Sequence, residues 1–140
     1  MKITDLLARF FLAVDARDWT TINQFLAPEL DVDYSSLSGE PAARSTAADL
    51  INQWKSLLPG FDATQHFLGP IATDDPDDVR CSVRGYHHLG EDTWMVAGSY
   101  QFRIDTTHDT ITAITLLVAY QTGPPDLPEW ATAKVASTNP

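Results

Sequence analysis

The dominant hydrophobic period changes at Gly60. Before it, one short alternating run apart, the apolar residues recur every three or four positions, and from residue 62 onward they alternate one by one. Such a chain builds helices first and a sheet afterwards. Ile3, Leu6, Leu7, Phe10, Phe11 and Val14 predict an amphipathic helix running to about Ala16. Asp18 can cap a second helix carrying Trp19, Ile22, Phe25 and Leu26, which Pro28 ends because it lacks an amide. Leu30, Val32 and Tyr34 alternate with polar neighbours as a short strand. Thr46, with Asp49 three residues on, resembles a capping box, and Leu50, Ile51, Trp54 and Leu57 continue that third helix to Pro59-Gly60.

Residues 62–73, 78–89, 94–106 and 110–122 read as four long strands. Asp-Asp-Pro-Asp, Gly-Glu-Asp and Thr-His-Asp turn signals separate them, and links this short imply an antiparallel meander. The third strand is the clearest. Trp94, Val96, Gly98, Tyr100, Phe102 and Ile104 share one face, while Met95, Ala97, Gln101 and Arg103 share the other. The expected fold is α+β, a bent antiparallel sheet covered by three N-terminal helices around one conical pocket. Residues 1–123 form the domain, and 124–140, which follows the Gly123-Pro124-Pro125 break, is a tail.

Composition narrows the function classes. At 140 residues, 44% hydrophobic and 20% charged, the chain has the profile of one globular domain with a single core. No apolar run approaches the length of a membrane helix, and the first residues lack the uninterrupted apolar stretch of a signal peptide. The single Cys81 has no internal disulfide partner, so a reducing compartment, the cytoplasm, is expected. Nineteen acidic against nine basic residues give a formal charge of −10, which opposes contact with nucleic-acid phosphates. The four histidines fall on separate strands and turns without metal-ligand spacing, and no glycine-rich nucleotide loop or nucleophile elbow is present. Neither metal nor cofactor is expected.

Chemistry then rests on a few polar residues near apolar faces. Asp15 follows Val14 at the margin of the first helix's buried face, either as a solvated helix-end charge or as a half-buried carboxylate that needs a partner. His66, in phase with Leu68, is either a satisfied core residue or that partner. A carboxylate would hold its ring in one tautomer and suit it to general acid/base work. Tyr34 is either a core tyrosine or a pocket hydroxyl. His87 shares the phase of Cys81, Val83 and Leu89, and is a candidate pocket residue; His88 points the other way. The pocket wall is expected from His87, Leu89, Trp94 and Val96, together with Tyr100, Leu116 and Val118.

Four stretches, Asp15-Ala16-Arg17-Asp18-Trp19, Ala27 to Tyr34, Thr64 to Gly69 and Gly85 to Leu89, resemble the corresponding runs of fungal scytalone dehydratase in order and spacing. The resemblance covers roughly residues 5 to 120. It implies the cone-shaped α+β fold of the nuclear transport factor 2-like superfamily and its SnoaL-like relatives, and cofactor-free elimination from a carbonyl compound. By resemblance, Asp15 and His66 match the catalytic pair, and Tyr34 matches a tyrosine holding water against the substrate carbonyl. Other positions depart. A second water-binding tyrosine is replaced by Val14, a second catalytic histidine falls near Thr93, and a substrate-positioning serine and asparagine fall near Gly98 and Tyr100.

Two function classes follow. One is a cofactor-independent lyase or isomerase of dehydratase or cyclase type, acting on a small cyclic or polyketide-like carbonyl compound through Asp15, His66 and Tyr34. The other is a noncatalytic small-molecule-binding or assembly module of the same fold. An epoxide hydrolase would need an Asp-Arg-Asp relay in the pocket, whereas Arg103 and Asp105 lie in the opposite phase. The apolar residues Met95, Ala97, Leu117 and Ala119 on the far face of the sheet lead us to expect a homo-oligomer, dimer or trimer. The expected partner is a small apolar or aromatic carbonyl ligand.

Overall fold

Each N-terminal helix stops for an identifiable reason. The computed structural model describes residues 1–138, beginning with α1 (Ile3–Ala16), which ends when Arg17 turns into the left-handed region at φ 57°. Asp18 then caps α2 (Trp19–Phe25), its carboxylate accepting from the Thr21 amide at 3.1 Å. The chain continues directly into β1 (Leu26–Asp33), so α2 ends before Pro28 rather than at it. Pro28 is tolerated within β1 because it falls where the strand's register with its neighbour shifts, between Leu26 and Asp31.

A short helix α3 (Ser35–Ser38) and β2 (Ala43–Thr46) lead to α4 (Ala47–Lys55), which Thr46 caps through the Asp49 amide at 3.1 Å. A 3-10 turn at Leu58–Gly60 opens onto four strands, β3 (Ala63–Ala72), β4 (Val79–Leu89), β5 (Asp92–Asp105) and β6 (Thr110–Thr122). These four form the expected antiparallel meander. The whole sheet has six strands in the order β2-β1-β6-β5-β4-β3 and is mixed, because β1 lies parallel to β6. The antiparallel expectation is corrected at that one pairing. The helical crossover from β1 through α4 to the meander brings β1 back alongside the last strand in the same direction.

The core lies between the helices and the concave face of this curved sheet. From α1 it receives Leu6, Leu7 and Phe10, from β5 Phe102, and from β6 Ile111 and Ile114, all essentially inaccessible. The 124–140 segment, expected as a tail, contains a helix, α5 (Leu127–Thr138); its last two residues lie outside the described ones. Leu127, Ala131 and Val135, spaced by four, are its buried seam. The helix docks against the 3-10 turn so closely that a Cβ at Gly60 would overlap the Ala131 carbonyl.

On the convex face the expected apolar set divides. Met95 and Ala97, flanked in register by Tyr86, Thr122, Arg84 and Tyr120, are already buried within the single chain. Leu117 and Ala119 remain exposed, beside exposed Phe67 and Tyr120. Among the described residues no helix is long and apolar enough to cross a membrane.

Candidate active site

A cavity of about 710 Å³ opens between α1, α4, the α3–β2 segment and the concave sheet. That is the size of a small-molecule site. Most of its wall is apolar, with Phe10 and Phe11 from α1, Trp54 from α4, Val96 and Phe102 from β5 and Leu116 from β6. The polar side chains at its centre come from four elements: His66 on β3, His87 on β4, Tyr100 on β5 and Tyr34 just beyond β1.

Asp15 occupies the last turn of α1, where the helix carbonyls make a poor environment for a negative charge. Donors on β3 compensate. Asp15 Oδ1 lies 2.7 Å from His66 Nδ1 and accepts the Thr64 hydroxyl at 3.1 Å, while Oδ2 accepts the His66 amide at 2.8 Å. The Asp15 side chain is 18% exposed and that of His66 10%. Burial works to raise the Asp15 pKa, but its hydrogen bonds and charge interaction with His66, aided by Thr64, outweigh this and hold the carboxyl below its ordinary value.

An ionised carboxylate can only accept, so in the neutral ring the Nδ1 proton points at Asp15 and Nε2 carries the lone pair. No buried side-chain nitrogen or oxygen among the described residues lacks a partner, and His66 Nε2 has none within the protein. Nε2 therefore opens onto the cavity. Gly85, paired with His66 across the β3–β4 ladder, keeps that space free, because a Cβ there would lie 3.4 Å from His66 Nε2 and 3.3 Å from His87 Cε1.

The support behind this pair was not evident from the sequence. Arg17 donates to Thr64 Oγ1 at 2.7 Å and to the Leu58 carbonyl at 2.8 Å. Arginine has no acceptor, so the Thr64 hydroxyl must turn its own proton toward Asp15. An arginine just past the predicted helix end, two residues beyond a half-buried carboxylate, is the sequence signal that could have marked it.

His87 sits deeper, 7% exposed, with its ring 4.5 Å from Trp94 and 5.0 Å from Phe61. Its Nδ1 lies 3.1 Å from the Trp94 carbonyl, an obligate acceptor. Burial, reinforced by the charge of His66, lowers its pKa to about 4; the Trp94 carbonyl and Asp15 oppose the shift, and Arg17 adds to it. Tyr34 and Tyr100 bring their phenol groups together, and burial raises both pKa values, so both remain neutral hydroxyls.

The structure thus gathers Asp15, His66, Tyr34, His87, Trp94, Val96, Tyr100 and Leu116 at one cavity, Asp15 from behind His66 and the other seven on the wall. Leu89 and Val118 are corrections. Leu89 is the last residue of β4, beside the Gly90 turn, and falls outside the lining. Val118 sits where α3 crosses β6, its amide donating to Ser36 Oγ at 2.8 Å, so the short helix displaces it from the cavity. Tyr34 is not a strand residue but the N-cap of α3. Thr93 is the second residue of β5, and its hydroxyl lies 2.7 Å from Nδ1 of exposed His88.

Helices packed in the concavity of a curved six-stranded sheet around one cavity define a nuclear transport factor 2-like domain. A SnoaL-like domain profile matches residues 1–111, and the chain belongs to that family. Among solved structures it is similar to the Kfla4162 protein of Kribbella flavida, with 24% identity over 91% of this chain and 94% of that one, TM-score 0.83. A candidate scytalone dehydratase from Novosphingobium aromaticivorans shares 14% identity over 86% and 83% of the two chains, TM-score 0.68. A type 2 hexachlorocyclohexane dehydrochlorinase shares 16% over 87% and 86%, TM-score 0.64. At these identities the likeness concerns the fold. No curated protein sequence matches.

The depressed His87 pKa has a consequence for acid stability. In the unfolded chain the ring takes its proton near pH 6.5, and in the folded protein only near pH 4. Between these values the unfolded state binds the extra proton, so stability falls on acidification through that window and is unaffected above it. The loss by pH 4.5 is expected to be about 2 to 3 kcal/mol, and His87→Phe should remove it. Urea unfolding at pH 7.5 and 4.5 measures the difference. An unchanged pH slope in the variant would contradict the assignment.

Proposed function

We propose that the protein is a cofactor-independent lyase or isomerase acting on a small cyclic or polyketide-like carbonyl compound. One observation carries this reading: the 2.7 Å contact between His66 Nδ1 and Asp15 Oδ1, with Nε2 left facing the cavity. In this reading His66 Nε2 removes a proton α to the carbonyl, the electron pair moves to the carbonyl oxygen, and Asp15 stabilises the imidazolium that forms. The Tyr34–Tyr100 hydroxyl pair, kept neutral by burial, spends one proton on its mutual contact and offers the other to the enolate oxygen. The imidazolium then returns the proton at another carbon in an isomerisation, or to the leaving hydroxyl in a dehydration.

The noncatalytic reading draws on a different observation, the apolar character of most of the wall. The two part on turnover. With hydroxyketones and enones as the panel, His66→Ala is expected to lower the rate by about 100-fold or more. Asp15→Asn should also be harmful, since the amide keeps the shape without the charge. Tyr34→Phe should cost least. Ligand binding without turnover of any panel member would favour the binding module, and wild-type turnover by His66→Ala would remove His66 as the base.

We further infer that protomers associate through the convex sheet face, where Phe67, Leu117 and Tyr120 are about half exposed. Light scattering at micromolar concentration is expected to give a dimer or trimer; a monomer would contradict it.

A further inference from the structure

The two imidazoles on the cavity wall have ring centroids 5.9 Å apart and stand nearly perpendicular, at 84°. Both present Nε2 to the interior, yet their backing differs. His66 is backed by a carboxylate that stabilises its protonated form. His87 is backed only by the Trp94 carbonyl and enclosed by the rings of Phe61 and Trp94. The carbonyl fixes its Nδ1 as the donor, so its Nε2 is a lone-pair acceptor in a place that disfavours an added proton. No protein group donates to that nitrogen, although no sealed side-chain nitrogen or oxygen among the described residues is without a partner. The vacant acceptor therefore faces the cavity.

We propose that His87 is the cavity's hydrogen-bond acceptor for a ligand hydroxyl, so that the molecule bound there is a neutral ring compound carrying at least one such donor. A carboxylate backs His66 and only a neutral carbonyl backs His87. With the rings 5.9 Å apart, both nitrogens reach atoms of the same ring system, which places the hydroxyl within a few bonds of the carbon facing His66. A ligand without the donor leaves the buried His87 nitrogen dehydrated and unpaired, and this sets the preference. The apolar wall supplies affinity for the ring, and His87 supplies selection among rings.

This inference rests on the cavity being a small-molecule site but not on catalysis, so its test reads equilibrium binding. The probes are 2-naphthol and 2-methylnaphthalene, which match in size and differ in the donor. Wild-type protein is expected to bind 2-naphthol about tenfold more tightly, the usual worth of one neutral hydrogen bond. His87→Phe should abolish the preference, and His87→Gln, which retains an acceptor, should restore part of it. In case the variants unfold, the wild-type protein gives an independent reading: the ¹⁵N resonance of His87 Nε2 should shift on adding 2-naphthol and not on adding its methyl analogue. Equal affinities in the wild type, a preference that survives His87→Phe, an unmoved Nε2 resonance, or binding of neither probe at millimolar concentration would each overturn the proposal.

Discussion

A carboxylate at the C-terminal end of a helix is in the wrong place unless something compensates it, and here the compensation organises the site. Asp15 faces the carbonyl end of α1, half-buried, and takes its hydrogen bonds from the first strand of the meander. Those bonds tie α1 to β3 and orient the His66 ring in one step. The left-handed turn at Arg17 extends the same tie to Thr64 and to the Leu58 carbonyl before α5's docking turn is complete. Removing the Asp15 carboxyl group would leave three donors without an acceptor, so orientation and stability depend on one group.

The remainder of the cavity follows from the sheet. Its curvature leaves a concave space that α1 and α4 cover without filling, and alternation along β4, β5 and β6 sends every second side chain into it. Most of those side chains are apolar, so each polar one must be satisfied or open to the cavity. The phenols of Tyr34 and Tyr100 meet each other, and His87 uses one nitrogen on the Trp94 carbonyl. Two histidines of the same type thereby differ in chemistry because one has a carboxylate behind it and the other a neutral carbonyl.

Much of this was legible in the alternation of β4 to β6, where each face is long enough for period two to be unambiguous, and in the capping residues Asp18 and Thr46. Other features were not. The parallel pairing of β1 with β6 is a long-range choice that a short strand containing Pro28 does not announce. Helix α5 was obscured by the prolines at its start and by a seam made partly of alanine, which carries little hydrophobic signal. Val118 has the phase of a pocket residue and is displaced by α3, a helix too short to leave a period. Asp15 and His66 could be paired because the residue types demanded a partner and a family resemblance aligned both. Arg17 and Gly85 could not, since one acts through a threonine and the other by having no side chain.

The tautomer of His66 is where the geometry and the chemistry meet. A ¹⁵N-labelled sample examined by long-range ¹H–¹⁵N correlation, on the alkaline side with the ring neutral, reports which nitrogen holds the proton. The structure requires the proton on Nδ1, bonded to Asp15, with Nε2 bare toward the cavity. A proton found on Nε2 would mean that Asp15 does not hold the ring, and that His66 has no lone pair to offer a substrate.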